Sequence, residues 1–271
     1  CFYIDKTSFI KEWWDNMDSV TLITRQRRFG KTLTISMLKR FFSIQYYNES
    51  AIFEHLDIWK YPEYREIMGA YPAMERGLMT GITRVSKESL FSDFNNMEVV
   101  TTTSVKYADV YGFTEDEVFS ALDEYGLSDI KDKVKRWYDG FLFGNSKDIY
   151  NPWSIINLLD KKQLGTYWAN TSANGLIAKL IQEGDRNIKQ LFETLLKGES
   201  IVCEIDEQII YNQLSINDNA IWSLLLASGY LTVVNYIGYG DAKLPENCMP
   251  QYELKITNYE TKLMFNELVK N

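Results

Sequence analysis

Gly30, Lys31 and Thr32 are spaced for one kind of chemistry, the binding of a phosphate chain. They end the run Arg25-Gln-Arg-Arg-Phe-Gly-Lys-Thr32, which follows an apolar, β-rich stretch at 20–24 and precedes a helix-period stretch reaching Phe42. A strand, a loop ending in Gly-Lys-Thr and a helix is the context in which backbone N–H groups and a helix N-terminus hold phosphate oxygens. On this reading Lys31 reaches the β- and γ-phosphates, the Thr32 hydroxyl holds Mg²⁺, and Gly30 lets the backbone approach. Phe29 and Leu33 flank these residues and complete the binding segment. Arg25, Arg27 and Arg28 bring the count to four cations within seven residues. One residue departs from the G-x-x-x-x-G-K-[ST] pattern: Arg25 stands where the first Gly is usual. The competing reading is a basic turn before an ordinary helix, and the flanking strand and helix weigh against it.

The remaining stretches must position that loop. Hydrophobic spacing predicts a strand at 2–4, a helix through Phe9, Ile10, Trp13 and Trp14 capped by Asp5 or Thr7, the strand 20–24 and the helix 32–42. A short helix is expected at 62–68, and buried strands at 78–82 and, from its Thr and Val content, at 99–105. From Tyr111 the pattern turns helical. Thr114 caps 115–125, Ser128 caps 129–137, and Pro152 opens a helix to Leu159, with Gly140, Gly144 and Asn145 punctuating a loop between them. The tail reads as helix 188–196, strand 201–210, helix 220–228, strands 230–236 and 252–256, and helix 259–269. A helix followed by a paired strand ribbon is compatible with a winged-helix module.

Composition bounds the partners. The 271 residues suffice for one large domain or two of ordinary size, and 45% apolar residues supply a substantial core. A net charge of −8 argues against broad electrostatic attraction to nucleic acid or an anionic membrane. Cys1, Cys203 and Cys248 are widely spaced and His55 is the single histidine, which opposes a zinc cluster and suits reduced thiols in a cytoplasm. No apolar run reaches membrane-spanning length, and no signal peptide is visible. Cys1 sits inside what reads as a strand, so the natural N-terminus is expected upstream.

With these residues in view, the chain resembles the AAA-ATPase-like family of bacterial and archaeal proteins, which often carry a C-terminal PD-(D/E)XK nuclease-like domain. The resemblance rests on Tyr3-Ile-Asp-Lys-Thr7, the stretch from Leu22 through Thr32, Glu75-Arg-Gly-Leu-Met-Thr-Gly81, Arg84-Val-Ser-Lys-Glu-Ser89, Tyr111-Gly-Phe-Thr114, Trp137-Tyr-Asp-Gly140, Tyr150-Asn-Pro-Trp-Ser154 and Trp222-Ser-Leu-Leu-Leu226. These words follow the family's order across almost the whole chain. The family's loop also lacks the first Gly, so Arg25 is a family trait.

The resemblance implies an α/β fold with an AAA+-like parallel sheet in order 5-1-4-3-2, in which 20–24 is strand 1, 78–82 strand 4 and 99–105 strand 5. It implies three parts: an ATPase core over 1–110, a helical lid over 111–185 and a winged-helix-like region over 186–271. ATP and Mg²⁺ are the implied ligands. Thr80 is implied to sense the γ-phosphate or attacking water, with Arg84 reaching the same region. Arg136 is either a second sensor or part of a solvated face at 131–136, and the solvated face is favoured.

Two family features are not found. An Asp-Glu-Tyr-Asp word with its flanking strands is expected near 68–75, and a nuclease-like tail after Asn271. The acidic word would hold Mg²⁺ and orient water. Residues 201–207 resemble it only superficially, because their apolar side chains alternate with acids as on a half-exposed strand. A physical break is therefore expected between about Met68 and Ala73, with strands 2 and 3 absent; otherwise 78–82 is a bare apolar edge, or pairs by self-association with another chain. Three functions remain: a Mg²⁺-dependent ATPase coupled to a nuclease-like or nucleic-acid-related domain, a nucleotide-binding switch or scaffold without turnover, and a nucleic-acid module. The acidic charge disfavours the last as a stand-alone role.

Overall fold

The strand that enters the basic loop is the middle strand of a sheet. In a computed structural model, which describes residues 2–71, 76–82, 97–169, 175–206, 219–244, 246 and 248–270, β1 (Val20–Thr24) lies between β2 (Gly77–Gly81) and β3 (Met97–Val100). All three run parallel, with Val20 opposite both Gly77 and Met97. The order β2-β1-β3 is the one implied above for strands 4, 1 and 5. Parallel neighbours need a crossover. Helix α2 (Lys31–Phe42) begins it, and among the described residues three 3-10 turns and helix α3 (Pro62–Ile67) follow.

Two expectations change here. The third strand stops at Val100, because Thr101 enters a hydroxyl-rich turn: Thr101 N donates to Ser104 Oγ at 2.9 Å and Ser104 N to Thr101 O at 3.3 Å. Local side-chain bonding of this kind overrides the β propensity of a Thr-Val run. The break expected between Met68 and Ala73 does not occur as far as Tyr71, where the backbone is bonded to the end of α2 through Gly69 N to Phe41 O and Tyr71 N to Phe42 O. Pro72 and Ala73 lie outside the described residues. The chain re-enters at Arg76, and Gly77 N donates to Ser19 O at the foot of β1. Among the described residues β2 pairs only with β1, so its outer edge is open and half-exposed.

Helix α1 (Ser8–Asp15) buries Phe9, Ile10 and Trp13 against this sheet, and the Trp13 indole donates to Thr21 Oγ1. Asp5 organises its start by accepting from Thr7 N and Asp57 N. Residues 2–4 form no strand; Phe2 packs edge-on against Phe113.

The middle of the chain is less helical than expected. Helix α4 (Glu115–Glu124) begins with the predicted capping box, Thr114 and Glu117 bonding each other's backbone N–H. Ser128 opens a 3-10 turn and donates to Asp123, while helix α5 spans Lys131–Tyr138. The predicted loop after Gly140 is a hairpin: β5 (Phe141–Phe143) and β6 (Ser146–Tyr150) pair antiparallel around Gly144-Asn145, and β4 (Phe113–Thr114) joins the other side of β6. A two-residue turn with Gly first is a hairpin signal. Asn151 then caps helix α6 (Pro152–Lys161).

Helices α7 (Gly175–Glu183) and α8 (Arg186–Lys197) lead to a second antiparallel sheet, β7 (Ile201–Glu204), β9 (Gln251–Ile256) and β8 (Leu231–Ile237), in the order β7-β9-β8. Helix α9 (Asn219–Ala227) precedes β8, and α10 (Tyr259–Lys270) closes the described chain. The strand expected to reach 210 leaves the ladder after Glu204, and residues 207 to 218 lie outside the described residues. One continuous core runs from Phe9 through Phe29, Phe141 and Trp168 to Phe265. A second cluster, Val118, Leu122, Val134 and Leu158, holds α4, α5 and α6 together.

Gly140 shows how tightly these parts meet. Its φ is +130°, and a Cβ there would lie 1.9 Å from Thr257 O. Gly140→Ala is expected to cost about 3 kcal/mol or more. Gly126→Ala, at φ +71° with open space around it, should cost only about 1 kcal/mol. Urea unfolding of both variants checks the difference.

Candidate phosphate site

The site is assembled where β1 ends. Arg25 N donates to Gly81 O at 3.0 Å, extending the β1–β2 ladder by one bond. The Arg25 side chain then turns inward and is fully buried. Its guanidinium donates to Thr24 O at 2.8 Å, Thr101 O at 2.7 Å and Tyr107 O at 3.2 Å, and lies 4.6 Å from the Phe143 ring centre. This corrects the expectation that Arg25 is a phosphate ligand: its charge is spent inside, tying β1 to the turn after β3.

Beyond Arg25 the backbone winds tightly. Arg28 has φ +65° and Gly30 φ +83°. Left-handed residues separated by one position turn successive N–H groups toward one side, as an anion-binding nest requires. The N–H groups of Arg27, Arg28, Phe29 and Gly30 make no backbone hydrogen bond within the described residues. Gly30 is the N-cap of α2, and a Cβ there would meet nothing within 4 Å. The Phe29 side chain is a core anchor, 5.0 Å from Phe141 and 5.5 Å from Phe143, so only its backbone faces the loop. Thr32 and Leu33 are exposed in the first turn of α2.

The cations divide by role. Arg27 and Arg28 are exposed, and the Arg28 guanidinium stacks 4.4 Å from the Trp153 ring centre. Lys31 is half-buried and donates to Arg25 O at 2.9 Å and Gln26 O at 2.5 Å. Burial, then the charges of Arg27 and Arg25, push its pKa down to about 8. Thr80 sits next to last on β2, opposite Ile23, at the level where β1 gives way to the loop. Arg84 lies outside the described residues. Arg136 is exposed on α5 with its guanidinium 5.3 Å from the Tyr259 ring centre, which fits the solvated-face reading.

The residues that hold the loop from outside carry no signal in the sequence around it. Gln26 is buried with its Cγ against Gly229, where a Cβ would approach to 2.4 Å. Arg27 O accepts from Trp168 Nε1 at 3.0 Å and Asn151 Nδ2 at 3.4 Å. The buried Glu260 carboxylate in turn accepts from Trp168 N at 2.6 Å, Ala169 N at 3.3 Å and Ser154 Oγ at 2.8 Å. The Asn-Pro step at 151–152 is a legible helix-start signal, but nothing local ties it to Arg27.

Two other places have charged or helical features. Glu115, Asp139 and Asp148 bring carboxylate oxygens within 4.8 Å of one another, and Lys135 pairs with Glu115 and stands 3.8 Å from Asp148. Burial and the Asp148 charge push Asp139 up to about 7. In the C-terminal region, every side chain of α9 from Ala220 to Leu226 is buried, so the described helix offers no face to a nucleic-acid groove.

Comparison with known proteins places the first part of this chain. Residues 1–125, which contain β1, the loop, α2 and both neighbouring strands, match the family model AAA-ATPase_like, described as predicted AAA-ATPase. Over that segment the chain is similar to predicted AAA-ATPases. A protein of Azotobacter chroococcum mcd 1, described as an uncharacterized protein in the vnfD 5' region, is 26% identical over 194 residues, 70% of this chain and 33% of that protein. The chain thus spans about a third of the length of the curated relative it matches. No solved structure matches it. No helix among the described residues is long and apolar enough to cross a membrane.

The Asp139 shift has a pH signature. A carboxyl with a raised folded-state pKa binds its proton more tightly in the native state, so stability falls as pH rises from about 4 to about 7. Asp139→Asn removes that fall. Urea titrations should show the variant more stable than wild type at pH 8, with the gap narrowing toward pH 4.

Proposed function

We propose that this chain binds ATP with Mg²⁺ through the loop at 25–33 and acts as an ATPase of AAA+ type. The observation that carries the reading is the group of loop N–H donors at Arg27 to Gly30 that make no backbone hydrogen bond among the described residues, set beside a lysine on which the described charges that act are those of Arg27 and Arg25. Such a place is electrostatically incomplete without an anion. A polyphosphate fits it: backbone donors for the oxygens, Lys31 for the β- and γ-phosphates, Arg27 and Arg28 at the rim, and the exposed Thr32 hydroxyl for the metal. Bound Mg·ATP would supply the reactive phosphoryl group. The chain's own residues hold the phosphates, orient them through α2, and place Thr80 beside them. Coupling to a nuclease-like or nucleic-acid-related domain belongs to the same proposal and rests on the resemblance alone, while the buried α9 gives it no support within the described residues.

A second reading has its own observation. Among the described residues, no carboxylate bonds Lys31 or contributes to its shift. The described residues thus put no acid against Lys31, and this is what supports a nucleotide-dependent switch or scaffold. Single-turnover measurement of phosphate release separates the two: binding without release selects the switch.

Lys31→Ala is expected to weaken ADP binding about a hundredfold, the loss of two charge-assisted contacts, while circular dichroism stays unchanged. Equal affinities by calorimetry would reject the phosphate reading. The shifted pKa adds a pH test. Free Lys31 loses its proton near pH 8, and an anion restores it. Binding should take up a proton at and above that pH, and affinity should fall as pH rises further. Calorimetry in two buffers of different ionisation enthalpy reads the uptake, which should vanish below about pH 7.

A further inference from the structure

We infer that Asn151 and Trp168 are positioning residues of the phosphate loop, acting through the Arg27 carbonyl. The inference rests on the phosphate reading above and deepens it.

A nest works only if its carbonyls point away from the anion. Arg27 O is the carbonyl immediately before the left-handed Arg28, and its peptide plane sets the direction of the following N–H. Two donors from distant parts of the chain hold that oxygen: the Trp168 indole at 3.0 Å and the Asn151 amide at 3.4 Å. Both donors are buried at about 1% exposure, so neither can move without disturbing the core.

Each donor is itself fixed. Asn151 Oδ1 accepts from Trp153 N at 2.9 Å and Ser154 N at 3.3 Å, which makes it the cap of α6 and orients its amide nitrogen toward Arg27. Trp168 is wedged between Phe141 and Tyr230, at ring distances of 5.4 and 5.5 Å. Glu260, on the first turn of α10, accepts from the Trp168 backbone and from Ser154 beside the cap. One carboxylate thus holds both supports in a common frame. Helix α6, the segment at 168–169 and α10 converge on a single peptide group of the loop.

The contact also explains how a non-glycine residue keeps φ +65° at position 28. A left-handed conformation costs on the order of 1–3 kcal/mol and persists only where its surroundings over-determine it. The two donors on the preceding carbonyl, the Arg28–Trp153 stack and the buried Phe29 supply that restraint on both sides.

The test separates positioning from folding. Asn151→Asp keeps the capping oxygen of α6 and removes the donor to Arg27. Trp168→Phe keeps an aromatic ring and removes the indole donor. Phe192→Leu, in the same core against Phe265 and away from the loop, is the control for lost stability. Backbone order parameters by NMR at residues 27–32 are read first, without nucleotide. They should fall from about 0.85 toward 0.6 or lower in Asn151→Asp and in Trp168→Phe, and stay unchanged in Phe192→Leu. ADP affinity should fall about fivefold for each lost donor, with no change in proton uptake at pH 8. If loop order is unchanged in both donor variants, or falls equally in Phe192→Leu, the inference is overturned. If wild type fails to bind ADP, the phosphate reading fails instead, and the order parameters still decide whether these residues position the loop.

Discussion

Four cations crowd into seven residues of backbone, and among the described residues no carboxylate bonds the one lysine of the group. That constraint shapes the molecule around the loop. Like charges at such spacing repel, and burying one without a partner is costly. The structure answers differently for each. Arg25 goes inside and is neutralised by carbonyl dipoles and aromatic faces, a use for which a planar guanidinium with five donors is suited. Arg27 and Arg28 stay in solvent, one of them lying on Trp153. Lys31 rests on two carbonyls of its own loop and loses part of its basicity.

The rest of the chain can be understood as the support for that arrangement. Phe29 plugs into the β5–β6 hairpin, Gln26 fits against Gly229 at the end of α9, and Arg27 O is held from α6 and the segment before α7. Each attachment falls on a different loop residue and comes from a different element. A glycine at 229 is required because Gln26 occupies the space a side chain would take. The C-terminal half is therefore packed directly onto the loop, with no intervening layer.

What could be seen beforehand was what local sequence decides. β1 was legible to the residue because a five-residue run with four β-branched side chains meets a sharp change to basic polar residues. The Thr114 capping box was legible because both partners lie three positions apart. The β5–β6 hairpin was missed although Gly144-Asn145 marks it, because its strands are too short to show a period of two. The type of Arg25 matches the chemistry of the loop, while its burial depends on Thr101, Tyr107 and Phe143, more than 70 positions away. Asn151, Trp168 and Glu260 were invisible as site residues for the same reason: their relation to the loop exists only in three dimensions. The apolar sequence of 78–82 suggests a strand paired on both sides, yet among the described residues β2 pairs only with β1, and the chain is continuous through Tyr71 where a break was expected.

The bond between Trp168 and Arg27 spans 141 positions, and this has a consequence for how the chain acquires its structure. The segment at 1–125, which carries the sheet and the loop, is synthesised before either donor to Arg27 exists. Its central strand and α2 can form from near neighbours, but the turn between them must wait for residues 151 and 168, and then for the α10 carboxylate that steadies them. Contacts of such long sequence separation close late and slow the search. The nascent N-terminal part thus carries a loop that lacks these supports until residues 151, 168 and 260 have been made.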